Sequence, residues 1–397
     1  VARLRLLFIL AILIGLSGSS LPPPTPLAQD AYVWQRQWTP ALATAIATTP
    51  SGVATWRVLA AQADIGGRLR PVAIDWDTLR RDGRRVVLVV RIDGQLPAWD
   101  GDALRDDLAA LLARWRDQPI AGIEIDHDCG TARLAAYAEF LTRLRTTMPA
   151  ALRLSITALP AWLPAPVLDD VLAAVDEAVL QVHAVSNPRA GLIDPARALR
   201  WAAQFDRRTA KPFRVALPTY GSRVVWDDDG AILAVESERP RLVAGAAAAE
   251  LVAAPQDMAA LRGALAAARL HHLVGIAWFR LPTDTDRRAW SAATWRAVID
   301  DAPLTPHVTV IAGASDRPGL RDLRLVNDGD VDTMLPRAVA LPTACRLADG
   351  IGAYRLAQAD TGPVLERIDA GRLPARHALP IGWMRCDVDT GEPHVAP

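Results

Sequence analysis

A chain of 397 residues is too long for one minimal domain and has room for a barrel plus an accessory domain. With 51% hydrophobic and 22% charged residues it can bury a large core, and its formal net charge of zero removes any electrostatic case for nucleic acid or an anionic membrane surface. Its three cysteines show no C-x-x-C or other zinc spacing, and nothing in the chain calls for a metal or another cofactor.

The N-terminus has the order of a secretory signal. Arg3 and Arg5 precede an apolar run from Leu6 to Leu16, and small residues Ser17 to Ser20 follow. The run is short for a membrane span. No cysteine follows it to carry a lipid, so a cleaved signal and an uncleaved signal anchor are the two outcomes. Either places the protein in the periplasm or outside a bacterial cell. Leu21 to Pro26 is a Pro-rich linker, and residues 1–29 are set apart from the fold.

Ala31 to Trp38 reads as a first strand, in which alternation does not decide whether Trp34 or Gln35 faces inward. Thr39-Pro40 then opens a helix with a capping hydroxyl and an early proline. Thr55 to Ala61 is a second strand. Arg85 to Asp93 is a third, apolar until Arg91, which shares a face with Val87 and Val89. An inward arginine needs a carboxylate partner, and the next strand offers Glu124. Arg91 is then a structural ion pair or a substrate contact.

The fourth strand, I-A-G-I-E-I-D-H-D-C from Ile120 to Cys129, is the most informative stretch. Ile123 and Ile125 alternate with Glu124, Asp126 and Asp128, so one face is aliphatic and the other carries three carboxylates. Helical stretches flank it, Asp102 to Arg116 before and Thr131 to Thr147 after, and strands alternating with helices imply a parallel sheet covered by helices. In a closed barrel the isoleucines face the helices and the carboxylates rise inward toward the C-terminal rim, where such barrels place their chemistry. Like charges so close should raise at least one pKa, which suits a general acid.

Arg153 to Leu159 is the fifth strand, with Ser155 and Thr157 inward, and Ala165 to Val175 its helix. In the sixth, Ala178 to Val185, Leu180 and Val182 face the helices and leave Gln181 and His183 inside. Asp194 to Arg208 is the next helix. Phe213 to Tyr220 is the seventh strand, followed by an excursion in which Trp226 to Asp229 and a glycine turn read as a solvated hairpin. Gln256 to Leu270 is a helix, Val274 to Leu281 the eighth strand, and Asp286 to Ile299 a closing helix. Eight repeats match a (β/α)8 TIM barrel over residues 30–302. After Asp301 the pattern changes. Short strands at Val308 to Ile311, Leu320 to Asn327, Ala338 to Leu341, Gly352 to Leu356 and Ala378 to Trp383 suggest a small β-sandwich-like domain over 303–397. Within it Cys345 and Cys386 can pair in an oxidising compartment, leaving Cys129 alone beside the acidic cluster.

A-G-I-E-I-D-H-D in strand four resembles the D-G-x-D-x-D-x-E signature of family 18 glycoside hydrolases, the chitinase-like barrels. R-V-A-L-P-T-Y-G-S-R (Arg214 to Arg223) is similar to that family's G-x-P-x-Y-G-R strand, and G-I-A-W-F (Gly275 to Phe279) to its final strand. The resemblance covers the barrel. It implies a sugar pocket floored by Trp278, with Tyr220, His183 and Gln181 as polar contacts and Trp34 or Gln35 beside them. Y-V-W-Q-R-Q-W, I-D-H-D-C with T-A-R-L-A-A-Y, and L-S-I-T-A-L-P-A-W resemble, over most of the chain, a bacterial exported family known as domain of unknown function 3142. Against the chitinase pattern, Ala121 and Glu124 replace two aspartates, Asp128 replaces the terminal glutamate, and Q-V-H-A stands where M-x-Y-D is usual.

The expected activity is therefore that of an exported, glycoside-hydrolase-like protein acting on an N-acetylated polysaccharide by acid catalysis. Asp128 is the general acid, Asp126 the orienting group or nucleophile, and Glu124 tunes both. Strand neighbours ~6.5–7 Å apart lie above the separation of retaining pairs and only at the lower edge of the inverting range, so spacing alone does not settle stereochemistry. The alternative is a carbohydrate-binding barrel without catalysis, motivated by the shortened acid. A third reading, a hydrolase with a divalent metal on Asp126 and Asp128, lacks a second cluster of ligands.

Overall fold

The computed structural model describes residues 26–396, apart from 65, 97, 184–190, 237–246, 287, 318 and 387–390. The expected signal segment and most of its linker, and the end of the expected sixth strand, lie outside the described residues.

Eight parallel strands form the closed ring: β1 (Ala28–Val33), β2 (Val53–Ala63), then, after a two-residue antiparallel strand β3 (Arg70–Pro71) on β2, β4 (Arg85–Ile92), β5 (Ile120–His127), β6 (Arg153–Ala158), β7 (Glu177–Gln181), β8 (Phe213–Pro218) and, after an excursion, β12 (Leu273–Phe279). The ring closes because β1 pairs with both β2 and β12. The excursion is an antiparallel sheet in which β9 (Gly221–Trp226) lies between β10 (Ile232–Glu236) and β11 (Ala247–Val252). Its tight turn is held by Asp227 Oδ1, which accepts from the backbone of Asp229 and Ala231, so W-D-D-D-G is a hairpin turn as expected.

The helices α1 (Pro40–Ala47), α2 (Trp76–Asp82), α3 (Gly101–Arg114), α4 (Leu134–Thr147), α5 (Leu168–Ala173), α6 (Pro195–Arg208), α7 (Pro255–Ala267) and α8 (Ala292–Ile299) cover the ring. Side-chain caps start several of them: Thr39, Asp75, Asp100, Asp194 and Ser291 each accept a backbone N–H from the first turn. In α4, Leu134, Tyr137, Leu141 and Leu144 recur at helical spacing and are buried against the sheet. Each such side chain contributes roughly 1.5–3 kcal/mol. The expected closing helix from Asp286 starts only at Ala292, because Ser291 caps it and Asp286 is engaged upstream by Arg280.

Two layers divide the barrel's apolar residues. Ile123, Ile125, Leu154, Ile156, Leu180 and Ile276 pack outward against the helices. Tyr32, Trp34, Leu59, Val89, Val179, Ala216 and Ala277 form a smaller inner cluster. The strands alternate between these layers, so the carboxylate face of β5 looks into the ring.

Beyond the barrel, β13 (Val308–Ala314), β14 (Arg321–Asn327), β15 (Thr333–Met334), β16 (Ala338–Ala340), β17 (Cys345–Gly350), β18 (Tyr354–Ala359), β19 (Gly362–Arg367), β20 (Arg372–Leu373), β21 (His377–Cys386) and β22 (His394–Val395) build antiparallel sheets around Leu323, Leu325, Val339, Leu365 and Ile381. The sequence pattern does not reveal β17 or β19, nor the two-residue strands β15, β20 and β22. β17 is an edge strand with little buried surface, so its residues carry no clean alternation. Cys345 and Cys386 form a disulfide across β17 and β21, and Cys129 is free and buried. Asp332 ties these sheets to the barrel: it accepts from Ser291 N at 2.8 Å and Thr294 Oγ1 at 2.9 Å, at the start of α8.

Candidate active site

The three carboxylates of β5 stand on one inward face but in three different environments. Glu124 is deepest and fully buried. It accepts from Tyr32 Oη at 2.6 Å and Thr157 Oγ1 at 3.1 Å, and it is ion-paired with Arg57. The same arginine reaches Glu177 at 2.5 Å and Asp30 at 3.0 Å, and Arg214 Nε reaches Glu177 at 3.0 Å. Burial pushes the Glu124 carboxyl up, against the pull of Arg57. Glu124 is thus part of an ionic floor and does not line the cavity above.

Asp126 stands one step higher, 2.6 Å from Arg91 Nη1, and Asp128 stands at the rim, 3.1 Å from Arg91 Nη2. The expected Arg91–Glu124 pair is therefore corrected. The register places Arg91 opposite Asp126 and Val89 opposite Glu124, and Glu124 is taken by Arg57 from β2. Burial, and then the Asp126 charge, push the Asp128 carboxyl up to about 6; opposed by Arg91, these two are the leading causes of that shift.

Two backbone contacts set the height of Asp128. A Cβ on Gly94 would collide with the Asp128 carbonyl oxygen, so the loop after β4 packs directly on the strand end. Trp162 Nε1 donates to Cys129 O at 2.8 Å from the other side. The neighbouring thiol is buried and raised to about 11 by that burial, which removes Cys129 as a nucleophile. His127 faces outward, stacked on Trp99 with Nδ1 3.1 Å from Ile92 O.

Above these acids opens a cavity of about 520 Å³, lined by Asp126, Asp128, Arg91, Trp34, Tyr32, Thr157, Gln181, His183, Tyr220 and Phe279, with Arg36, Ala216, Val235, Glu236 and Arg280 completing the wall. Of the two open choices on β1, Trp34 faces the cavity, while Gln35 Nε2 donates to Leu281 O at 3.1 Å. His183 Nδ1 lies 3.4 Å from Tyr220 Oη, and burial holds the imidazole down at about 3, so it is neutral. Asp126 Oδ1, Asp128 Oδ1, His183 Nε2 and Glu236 Oε1 are buried and make no hydrogen bond within the protein.

The expected floor at Trp278 is corrected. Its ring is fully buried in the outer layer, its Nε1 donates to Gln29 Oε1 at 2.7 Å, and Phe279 takes the place at the cavity. Trp278 shares a face with Ile276, and a one-residue offset along a strand exchanges inside for outside.

Reading the sequence also missed Tyr32, Arg57 and Glu236. The first two carried a signal: Tyr32 is two residues from Trp34, and Arg57 interrupts an apolar strand. Glu236 sits on β10, outside the barrel repeat, where no periodicity points to the site. Among the described residues no group of three or more His, Cys, Asp or Glu is placed to hold a metal ion, and Arg91 already fills the gap between Asp126 and Asp128.

A family model described as a domain of unknown function, DUF3142, matches residues 82–284, and a second, DUF8456, matches residues 310–387. No curated protein matches the sequence. Among solved structures the chain is similar to the Bacillus megaterium QM B1551 spore cortex-lytic enzyme SleL (TM-score 0.51, 13% identity, 72% of this chain and 76% of that one). The Bacillus cereus enzyme SleL is comparable, with a TM-score of 0.50 at 11% identity over 71% of this chain and 76% of that one. A chitinase from Bacteroides thetaiotaomicron has a TM-score of 0.50 at 10% identity, over 69% of this chain and 97% of that one. At these identities the likeness is one of fold: the barrel is glycoside-hydrolase-like.

Proposed function

The chain belongs to the DUF3142 family, and from that premise we propose that it is an exported glycosidase that cleaves an N-acetylated polysaccharide by acid catalysis. The observation that carries the reading is Asp128: a carboxyl raised to about 6, at the rim of a cavity that also holds an ion-paired Asp126 and the ring of Trp34. A neutral carboxyl near working pH is what proton donation to a leaving oxygen needs. Asp126, held by Arg91, orients the acetamido group or attacks the anomeric carbon. Trp34, with the Arg91 guanidinium over its ring, lines the cavity where a sugar ring would lie, and Tyr220, Gln181 and neutral His183 offer hydrogen bonds to its hydroxyls. Arg91 acts by holding the two acids.

Export is supported by the charged, apolar and small-residue order of the N-terminus, and by the Cys345–Cys386 disulfide, which suits an oxidising compartment. No helix among the described residues is long and apolar enough to cross a membrane. The periplasm or the exterior is the proposed location, with the barrel running from Ala28, where β1 starts, to residue 302 and the β domain over 303–397.

The test is incubation of purified protein with chitooligosaccharides, peptidoglycan fragments and exopolysaccharides, beside an Asp128→Asn variant. Turnover that the variant lacks supports the reading. One observation favours a second reading, sugar binding without cleavage: Asp128 is one methylene shorter than the family 18 acid and shares the Arg91 guanidinium. Bound sugar with no turnover, and equal affinity in Asp128→Asn, would select it.

A further inference from the structure

A second cavity, of about 720 Å³, lies where the barrel meets the C-terminal sheets. Its walls come from the loop after β12 (Thr283 to Asp286), from β11 (Glu250, Val252) and from the C-terminal sheets (Met334, Arg372, Pro374). Three direct contacts connect it to the cavity at Asp128. Arg288, in the wall of the second, lies 3.4 Å from Glu236, in the wall of the first. Arg280 of the first is paired with Asp286 of the second, its Nε at 3.0 Å. Tyr220 of the first forms a β-bridge with Ala289 of the second. The partition is a low wall of two ion pairs and the backbone ladder of residues 219–221 with 288–290, over which a chain would pass.

We propose that the two cavities are consecutive stretches of one cleft that binds a polysaccharide chain, the second holding sugar units distal to the bond presented to Asp128. The inference rests on the glycosidase reading and adds to it a long-chain substrate and a role for the C-terminal sheets. The lining suits sugar rings. Val252, Met334 and Pro374 present apolar surface to C–H faces, while Thr283, Thr285 and Asp284 present groups that bond ring hydroxyls. Buried Glu236, in the partition, has Oε1 without a hydrogen bond inside the protein, an acceptor for a hydroxyl or amide N–H of a chain crossing there. The cleft is preformed across the junction. Asp332 is bonded to Ser291 and Thr294 on one side and to Ala375 N at 2.8 Å on the other, and Arg372 Nη2 donates to Ala289 O at 2.7 Å.

The experiment is calorimetric titration of the full chain carrying Asp128→Asn, which holds oligomers uncleaved, with β-linked N-acetylglucosamine oligomers of two, four and six units. The six-unit oligomer should bind at least about ten-fold more tightly than the two-unit one. Met334→Arg and Thr285→Trp, exposed substitutions on opposite walls, should each bring that ratio below about three-fold, with melting temperatures confirming the fold. A ratio near one before substitution, or a ratio both substitutions leave intact, overturns the extended cleft while the glycosidase reading stands. No binding at any length overturns both.

Discussion

Arg91 grips Asp126 at 2.6 Å and Asp128 at only 3.1 Å, so two acids on one strand share one cation unequally. The tighter pair engages Asp126 through Oδ2. The looser one leaves burial and the Asp126 charge to dominate at Asp128. One guanidinium thus separates an ion-paired carboxylate from a proton-holding acid, a division of labour expected where two carboxyls have different tasks.

The pH dependence follows from Asp128. Turnover should be carried by its protonated form, falling as pH rises through about 6. The stability sign is also set. The folded pKa lies above the unfolded value, so the group costs nothing below about pH 4, where both states are protonated, and its full cost is present above about 6. Asp128→Asn should therefore abolish turnover, yet stabilise the fold by on the order of 1 kcal/mol at pH 8 and by nothing at pH 3.5. Denaturant melts at the two pH values check this. Equal effects at both would remove the raised acid.

Arg91→Met takes away the cation that holds Asp128 down, so the basic limb of the pH–rate profile should move to higher pH. Asp126 is left without its ion-pair partner. Arg91 is 32% exposed at the side chain, so the loss should fall between the ~1 kcal/mol of a surface pair and the ~3–5 kcal/mol of a buried one. A limb that stays in place shows that Arg91 does not govern the acid.

The ionic floor makes a sharper contrast. Arg57→Met strands Glu124 and leaves Asp30 and Glu177 to share Arg214 alone, and should cost at least ~3–5 kcal/mol. Glu124→Gln keeps the Oε1 acceptor for Tyr32 and Thr157 and leaves Arg57 its Asp30 and Glu177 partners, with an amide NH2 now turned toward Arg57 Nη1, so its cost should be smaller than that of Arg57→Met. Chemical denaturation of both variants at neutral pH measures the difference. Equal losses would contradict the account of the floor.

Gly94→Ala drives a methyl into the Asp128 carbonyl. The backbone must shift, at a cost of about 1–3 kcal/mol. Because the shifted residue is the acid, turnover should fall at least about ten-fold, with less change in affinity for a short oligomer. Unchanged kinetics would show that the acid's height is not set there.

Alternation alone made the acidic edge legible. Ile123 and Ile125 mark the outer face so clearly that Glu124, Asp126 and Asp128 had one place to go, and the structure puts them there. Pairing between strands was harder, because register is not written in either strand alone. Arg91 sits opposite Asp126 through a register shift near Val86, which the residue pattern of β4 does not disclose. Trp278 was misplaced when a resemblance overrode the local period: Ile276 two residues earlier already assigned it to the helix side. Glu236 was out of reach, since the excursion that carries it follows no repeat.

Glu236 reaches the cavity on β10, part of the excursion between the seventh and eighth barrel strands, whereas Asp126 and Asp128 belong to the ring. On the proposed reading, acid chemistry and selection thus sit on separately encoded parts: lengthening, trimming or recharging that excursion would change which polymers gain entry while the Arg91 and Arg57 ion pairs, which belong to the ring, are kept.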